Sequence, residues 1–298
     1  MIRVEISSRT AVSEPLITCI ELGHVYDSGR GRTTALGSIS LTIDRAEFVC
    51  VLGPSGCGKT TLLNILAGVV AAADGDVRVS GYAIDGPSSE RGVVFQDYSL
   101  FPWLTAQGNV QFGLRMAGRA ARERAKIAHD LLGLVGLPDV GEKYPFELSG
   151  GMKQRVAIAR ALALRPSLLL MDAPFAALDA MTRSSLQAKL IEIHQQERRT
   201  FLFVTHNVAE APVLASRLIV MSANPGRIVE DINVDLPRPR RRTSPRFNEL
   251  YEHVARAIGL ETANMTFGVS RHTVAGLSAR SPSLTHGRRS AGAASSIT

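Results

Sequence analysis

Hydrophobic and polar positions alternate in blocks along the chain rather than residue by residue. Between residues 17 and 234, short apolar runs are separated by turns and longer amphipathic stretches, which is typical of an α/β domain. Four runs have the nearly continuous apolar character of strands buried in a parallel sheet: residues 46–53, 92–96, 167–172 and 200–206. Helical patterns over residues 59–70, 119–137 and 150–164 predict the helices between them.

The pattern changes after residue 234. A proline–arginine segment (residues 237–246) leads to one amphipathic stretch and then to about thirty residues rich in Ser, Ala, Gly and Arg. We therefore divide the chain into four parts: an N-terminal lead (1–16), the α/β domain (17–234), a basic linker with a C-terminal helix (235–260), and a basic tail predicted to be disordered (261–298).

The charge is unevenly distributed. The 298 residues carry 34 Lys+Arg against 27 Asp+Glu, a net charge of +7, and the excess lies in the proline–arginine segment and in the tail after Glu261. A solvated linker explains such a cluster, and so does contact with anionic lipid or with a membrane subunit. Aromatic residues are not interleaved with the arginines, so we expect no nucleic-acid partner.

Cysteine usage and hydropathy indicate the compartment. The spacing of Cys19, Cys50 and Cys57 does not fit a metal site, which favours a reduced, cytosolic setting. The sequence has neither a run of roughly 18 apolar residues, the length of a membrane span, nor the apolar core of a signal peptide. We expect a chain that is not exported and does not cross a membrane but can dock on one.

The stretch "GPSGCGKTT" follows the first buried strand and opens a helix. Its glycines let backbone amides turn toward phosphate oxygens, and the helix adds its positive N-terminal end. Lys59 can reach the outer phosphates, and the Thr60 hydroxyl can bind Mg²⁺. The predicted phosphate-binding residues are Gly53, Pro54, Ser55, Gly56, Cys57, Gly58, Lys59, Thr60 and Thr61. Cys57 is interpreted as a small tolerated side chain, with an oxidation-sensing thiolate as the alternative.

Two further motifs complete the chemistry. The buried run "SLLLMD" delivers Asp172 to a strand end, where its carboxylate can hold Mg²⁺ through water. In "ELSGGMKQR", Ser149, Gly150 and Gly151 precede a helix and form a second anion-binding terminus. Two phosphate-seeking helix ends in one chain predict a dimer in which each nucleotide lies between the first loop of one copy and the second loop of the other.

The chain resembles the ATP-binding subunits of ABC transporters in the order of its motifs. These are the phosphate loop, Gln96, residues 148–151, Asp172, Asp179 and His206. The resemblance implies a P-loop NTPase core with a mostly parallel sheet, plus antiparallel β and helical subdomains. It implies ATP and Mg²⁺ as cofactors, integral membrane permease subunits and a second ATP-binding subunit as partners, and indirect contact with a substrate-binding protein. The location implied is the cytoplasmic face of the membrane.

The same resemblance assigns roles to single residues. Tyr26 would stack on adenine, unless it is an ordinary strand aromatic, and Asp179 would lie at the dimer contact. Gln96 would sense Mg²⁺ and the attacking water, and His206 would contact the γ-phosphate. The signature residues would hold the γ-phosphate of the partner's ATP: Ser149, Gly150 and Gly151.

The motifs "MDAPFAALDAMTR", "NPGRI" and "DLPRPR" look like those of importers of nitrate, sulfonates and taurine. Phe101 and Trp103 would lie near the groove that receives the membrane subunit, or else pack within the helical subdomain.

One position departs from the family pattern. Ala173 stands where the family places the glutamate that orients and deprotonates the hydrolytic water. Losing a general base typically costs about 10²–10⁴ in rate. Three interpretations remain open: slow hydrolysis that relies on His206 and other groups, pairing with an intact second subunit, or an ATP-gated regulatory module that hardly turns over. Asn207 and Pro212 are smaller departures, and neither supplies a base.

Overall fold

The computed structural model describes residues 14–29 and 31–259. Most of the N-terminal lead and the whole tail from residue 261 lie outside this range, and the four-part division of the chain stays a prediction. Within the described residues, no helix has both the length and the apolar character needed to cross a membrane.

A six-stranded sheet forms the centre of the domain, in the order β10-β9-β3-β8-β7-β6. Five of its strands are parallel neighbours and only β10 runs antiparallel, to β9. The strands are β3 (Phe48–Leu52), β6 (Arg91–Val94), β7 (Leu168–Asp172), β8 (Thr200–Val204), β9 (Arg217–Ser222) and β10 (Arg227–Asn233). Every residue of β3, β7 and β8 is buried, which explains their continuous apolar sequences.

A second, antiparallel sheet has the order β2-β1-β4-β5. Its strands are β1 (Ile17–Ser28), β2 (Gly31–Ile43), β4 (Asp74–Val79) and β5 (Tyr82–Ala83). Helix α1 (Lys59–Ala67) and the apolar side chains of this sheet share one hydrophobic core with the adjoining face of the central sheet. The expected fold class, a mostly parallel core with an antiparallel β subdomain, is confirmed.

The opposite face of the central sheet shares a second hydrophobic core with the remaining helices. These are α2 (Ala106–Met116), α3 (Ala121–Leu134), α4 (Gly150–Ala163), α5 (Ala180–Glu197), α6 (Ala211–Leu214) and α7 (Pro245–Ala257), with a 3₁₀ turn at Pro145–Glu147. The fully buried Asn109 organises the start of the helical subdomain, because its side chain accepts a hydrogen bond from the Phe101 amide and donates to the carbonyls of Phe101, Leu104 and Thr105.

The proline–arginine segment corrects one expectation. Arg238 and Arg240 turn inward and donate hydrogen bonds to backbone carbonyls around α6. The interpretation of this segment as a solvated linker is therefore wrong for these two residues. The neighbouring Arg241 is exposed. Helix α7 follows and buries Phe247, Val254 and Ala255.

Candidate functional site

The phosphate loop connects the end of β3 to the start of α1, as the sequence predicts. Gly58, the residue before the helix, has a left-handed backbone (φ 84°). A side chain there would also lie 2.7 Å from the carbonyl oxygen of Ala35, so only glycine fits. Among the described residues, no side chain caps α1, and its first amides stay available to an anion.

Lys59 folds back over this loop. Its ammonium donates hydrogen bonds to the carbonyl oxygens of Gly53 (2.8 Å) and Pro54 (2.9 Å) and to the sulfur of Cys57 (3.2 Å). The positive charge therefore lies over the curl of the loop, where a phosphate would meet it. Cys57 is fully buried, which fits a small packing residue better than an oxidation sensor.

Thr60 and Asp172 are 112 positions apart in the sequence, and the fold brings them together. The Thr60 hydroxyl donates a 2.7 Å hydrogen bond to Oδ2 of Asp172, which is 4% exposed at the end of β7. A hydroxyl and a carboxylate oxygen are hard ligands of the kind Mg²⁺ prefers. The residues present therefore fit the magnesium ion that the family implies.

Ala173 directly follows this carboxylate. Its backbone is left-handed (φ 43°), and its amide donates to the carbonyl oxygen of Val204 at 2.9 Å. The turn therefore ties the end of β7 to the end of β8, the strand that leads to His206. The side chain at this turn is a methyl group, which can neither accept a proton nor orient water.

Tyr26 lies beside the first turn of α1. Its hydroxyl is 3.4 Å from Oγ1 of Thr61, and its ring meets that of His24 edge-on at 4.6 Å. The ring is 43% exposed, which leaves a face open to a flat ligand.

Gln96 is exposed in the segment after β6, and this segment is tied to the signature helix. Tyr98 and Ser99 both have left-handed backbones (φ 60° and 49°), and their carbonyls accept hydrogen bonds from Arg160 of α4 at 3.1 and 2.6 Å. Burial lowers the pKa of Arg160, and its guanidinium also lies over the Phe101 ring. Sequence reasoning missed Arg160, because a helix arginine 61 residues from its partner carries no local signal.

The signature residues open α4. Ser149 is exposed and accepts a hydrogen bond from the Met152 amide at 3.3 Å, as a helix cap. A side chain at Gly150 would lie 3.1 Å from the Tyr98 hydroxyl, and one at Gly151 equally close to the Ala177 carbonyl oxygen. Within the described part of the chain, no hydrogen bond joins residues 149–151 to the phosphate loop.

Asp179 and His206 are both exposed. Asp179 caps α5, since its Oδ1 accepts a hydrogen bond from the Thr182 amide at 3.0 Å, and this bond lowers the pKa of the carboxyl. His206 stands in the loop between β8 and α6.

Of the two residues considered for the membrane-subunit groove, Phe101 packs on Phe112 while Trp103 is 69% exposed.

Thr205, Glu210 and Arg183 support the His206 loop, and sequence reasoning missed all three. Glu210 is buried, accepts a 2.9 Å hydrogen bond from the Thr205 hydroxyl, and lies 3.5 Å from the Nε of Arg183 in α5. Pro212 is tolerated because it occupies the first turn of the short α6, where its missing N–H would have no helical partner.

Comparison with known proteins identifies the class. The ABC transporter family matches residues 36–176. The ABC transporter ATP-binding protein MJ0412 of Methanocaldococcus jannaschii is 50% identical over 76% of this chain and 85% of that protein. The taurine import ATP-binding protein TauB of Escherichia coli K12 is 46% identical (74% and 86% covered), and so is the nitrate import ATP-binding protein NrtD of Synechocystis (75% and 85%).

Solved structures agree. The dimeric ATP-binding cassette MJ0796 bound to ADP and Pi, described as a post-hydrolysis state, superposes with a TM-score of 0.69 at 31% identity, covering 74% of this chain and all of that one. The chain belongs to the family of ABC transporter ATP-binding proteins, whose members bind and hydrolyse ATP. Its similarity to the taurine and nitrate importer group, expected from its motifs, is confirmed.

Proposed function

We propose that the chain is the energy-coupling subunit of an importer, that it binds Mg-ATP at a dimer contact, and that its own site hydrolyses ATP slowly. One observation carries the proposal: the Thr60–Asp172 pair of the metal side is intact, while the next residue is Ala173. The chain therefore keeps the groups that bind the metal and nucleotide but lacks the residue that would act as hydrolytic base.

The binding roles follow from the geometry. The open amides of α1 and the Lys59 ammonium would hold the phosphates, and Tyr26 would stack on the adenine ring, a contact worth roughly 1–3 kcal/mol by analogy with other base–aromatic stacking. Thr60 and Asp172, with Gln96 from the neighbouring segment, would hold Mg²⁺, which neutralises phosphate charge when bound. His206 would reach the γ-phosphate from the loop after β8.

The second half of each site would come from another copy. Ser149, which is exposed, and the half-buried Gly150 and Gly151 form a helix N-terminus that has no hydrogen bond to the phosphate loop within the described residues of one copy. Asp179 caps the next exposed helix start and would lie along the same contact. The dimeric relative of similar fold supports a dimer, and the separate phosphate loop and signature favour a head-to-tail arrangement, with either a second copy or a related subunit as the partner.

A mixing experiment tests the shared site. Lys59→Ala removes the phosphate ligand, and Ser149→Arg blocks the signature, so neither variant alone should form ATP-dependent dimers. If each site combines the phosphate loop of one copy with the signature of the other, an equimolar mixture regains one intact site and forms heterodimers with Mg-ATP in light scattering. A mixture that stays monomeric while the wild type dimerises would argue against the shared site.

The importer role makes a separate prediction about the membrane subunits. Trp103, 69% exposed beside the packed Phe101, offers a docking side chain. Trp103→Ala should weaken capture of the membrane permease subunit, whereas Tyr82→Ala, which removes an 80% exposed ring from the antiparallel sheet, should not. Equal capture by both variants would place the contact elsewhere.

The alternative is an ATP-gated module that dimerises without measurable turnover. It rests on the same observation, the methyl group at Ala173, and predicts dimers that persist for as long as ATP is present. Measuring phosphate release by the assembled transport complex separates the two functions, because the importer subunit must release phosphate during transport.

A further inference from the structure

The short helix α6 directly follows the loop that carries His206, and the carbonyls of its last three residues and of its C-cap, Ala215, all receive arginine N–H groups. Arg240 donates to Pro212 (2.7 Å) and Ala215, and Arg238 donates to Val213 (3.1 Å) and Leu214. A helix leaves its four C-terminal carbonyls without partners inside the helix, and these are usually satisfied by water or by a glycine turn. Here two side chains from residues 237–240 satisfy the full set.

Arg240 also anchors its own segment. Its Nε and Nη2 donate to the carbonyls of Leu236 and Val234 at 3.0 and 3.2 Å. A planar guanidinium with five N–H groups is suited to such a divided task, which a lysine ammonium cannot reproduce. Arg240 thus joins the strand exit after β10 to the end of α6.

Electrostatics favour these contacts. The C-terminal end of a helix carries partial negative charge, which a nearby cation stabilises. Burial, and then the charge of Arg238, lower the pKa of Arg240 to about 10, so the side chain still carries its charge at neutral pH. A charge taken out of water is costly unless it is hydrogen-bonded, and the carbonyls of α6 supply those bonds.

The His206 loop is therefore fixed at both ends. At its start, the Thr205 hydroxyl donates to Glu210, which pairs with Arg183 of α5. At its far end, Arg238 and Arg240 hold α6. Between these two attachments, His206 is exposed on a loop of only a few residues.

We propose that Arg238 and Arg240 are positioning residues that hold the His206 loop in place, so that the segment after the α/β domain is a working part of the nucleotide site. The proposal rests on the proposed contact between His206 and the γ-phosphate. Its consequence is that the chain's preference for ATP over ADP depends on two arginines that do not touch the nucleotide.

The test measures the affinities of the full-length chain for Mg-ATP and Mg-ADP by calorimetry, which requires no hydrolysis. Arg240→Ala is compared with Arg241→Ala, which removes the same charge from the exposed neighbour. Both variants are made with His206 and with His206→Ala. If Arg240→Ala does not fold, Arg238→Ala, which releases only Val213 and Leu214, takes its place.

Arg240→Ala should lower the ratio of ATP to ADP affinity by about fivefold or more, the low end of coupling between sites. It should add nothing when His206 is already alanine, and Arg241→Ala should leave the ratio unchanged. An equal loss in both backgrounds, or equal behaviour of the two arginine variants, would overturn the positioning role. Absence of Mg-ATP binding by the wild type would instead refute the proposed function, and a neutral His206→Ala would refute the γ-phosphate contact together with the positioning role.

Discussion

The hydroxyl of Thr60 lies 2.7 Å from the carboxylate of Asp172, although the two residues are 112 positions apart. Because this pair fits a magnesium ion, Asp172→Asn should remove most of the gain in ATP affinity that Mg²⁺ brings. In the wild type, ATP should bind at least about tenfold more tightly with Mg²⁺ than with a chelator, and in the variant the difference should fall below about threefold. The exposed Asp139→Asn serves as the control. An undiminished magnesium effect in Asp172→Asn would place the metal on other residues.

Gly226 of the "NPGRI" motif packs directly behind the phosphate loop. A side chain at this position would lie 2.2 Å from the Cys57 carbonyl oxygen, while the Gly226 amide already donates to Ala35. Gly226→Ala should therefore push the loop out of shape and weaken ATP binding by about tenfold or more. Gly133→Ala, in open space within α3, should keep full affinity and stabilise the protein by roughly 0.5–1 kcal/mol. Unchanged ATP affinity in Gly226→Ala would show that the loop can yield without loss.

The pair of Glu210 and Arg183 should contribute to stability. Glu210→Gln leaves Arg183 without its partner, but Arg183 is partly exposed and the pair is 3.5 Å long, so we expect a loss of about 2 kcal/mol, below the range for fully buried pairs. Urea denaturation measures the change. Glu192→Gln, which breaks the exposed pair with Lys189 on the same helix, should cost less than about 0.5 kcal/mol. A similar small cost for both variants would contradict the buried role of Glu210.

His194 should make stability depend on pH. Burial lowers its pKa, as do the charges of Arg238 and Arg198, against a hydrogen bond to the Arg199 carbonyl that raises it. Between pH about 6.5 and the lowered pKa, the unfolded chain binds a proton that the folded chain does not, so the free energy of unfolding decreases as the pH falls through this range. Urea denaturation between pH 7.5 and 5.5 should show that the free energy of unfolding falls with pH. His194→Gln should reduce this slope, and His129→Gln, at an exposed position, should not. Equal slopes in both variants would assign the effect to other groups.

Sequence alone predicted the elements whose signals are local. The continuous apolar runs became β3, β7 and β8 with every residue buried, because a parallel sheet covered on both faces leaves no polar side. The phosphate loop was equally readable, since glycines followed by Lys59 at a strand–helix junction have a specific geometric purpose.

The supports around the site could not be predicted, because they depend on distant partners. Arg160 bonds to backbone carbonyls some sixty residues away, and Glu210 pairs with a side chain on another helix. The basic, proline-rich sequence around Arg240 is typical of solvated linkers, yet its side chain turns inward to bind backbone carbonyls. A backbone carbonyl carries no residue-specific signal, so such contacts appear only once the fold has brought the two segments together.

In the proposed function, the methyl group of Ala173 leaves ATP binding intact and removes the base needed for fast hydrolysis. Restoring a carboxylate with Ala173→Glu supplies a base beside Asp172, on the turn that ties β7 to β8. Phosphate release is measured for both proteins at saturating Mg-ATP, with ATP affinity measured alongside. We expect at least about tenfold faster release by Ala173→Glu at similar ATP affinity, a threshold below the roughly 10²–10⁴ that a well-positioned general base contributes. Equal rates for the two proteins would contradict the claim.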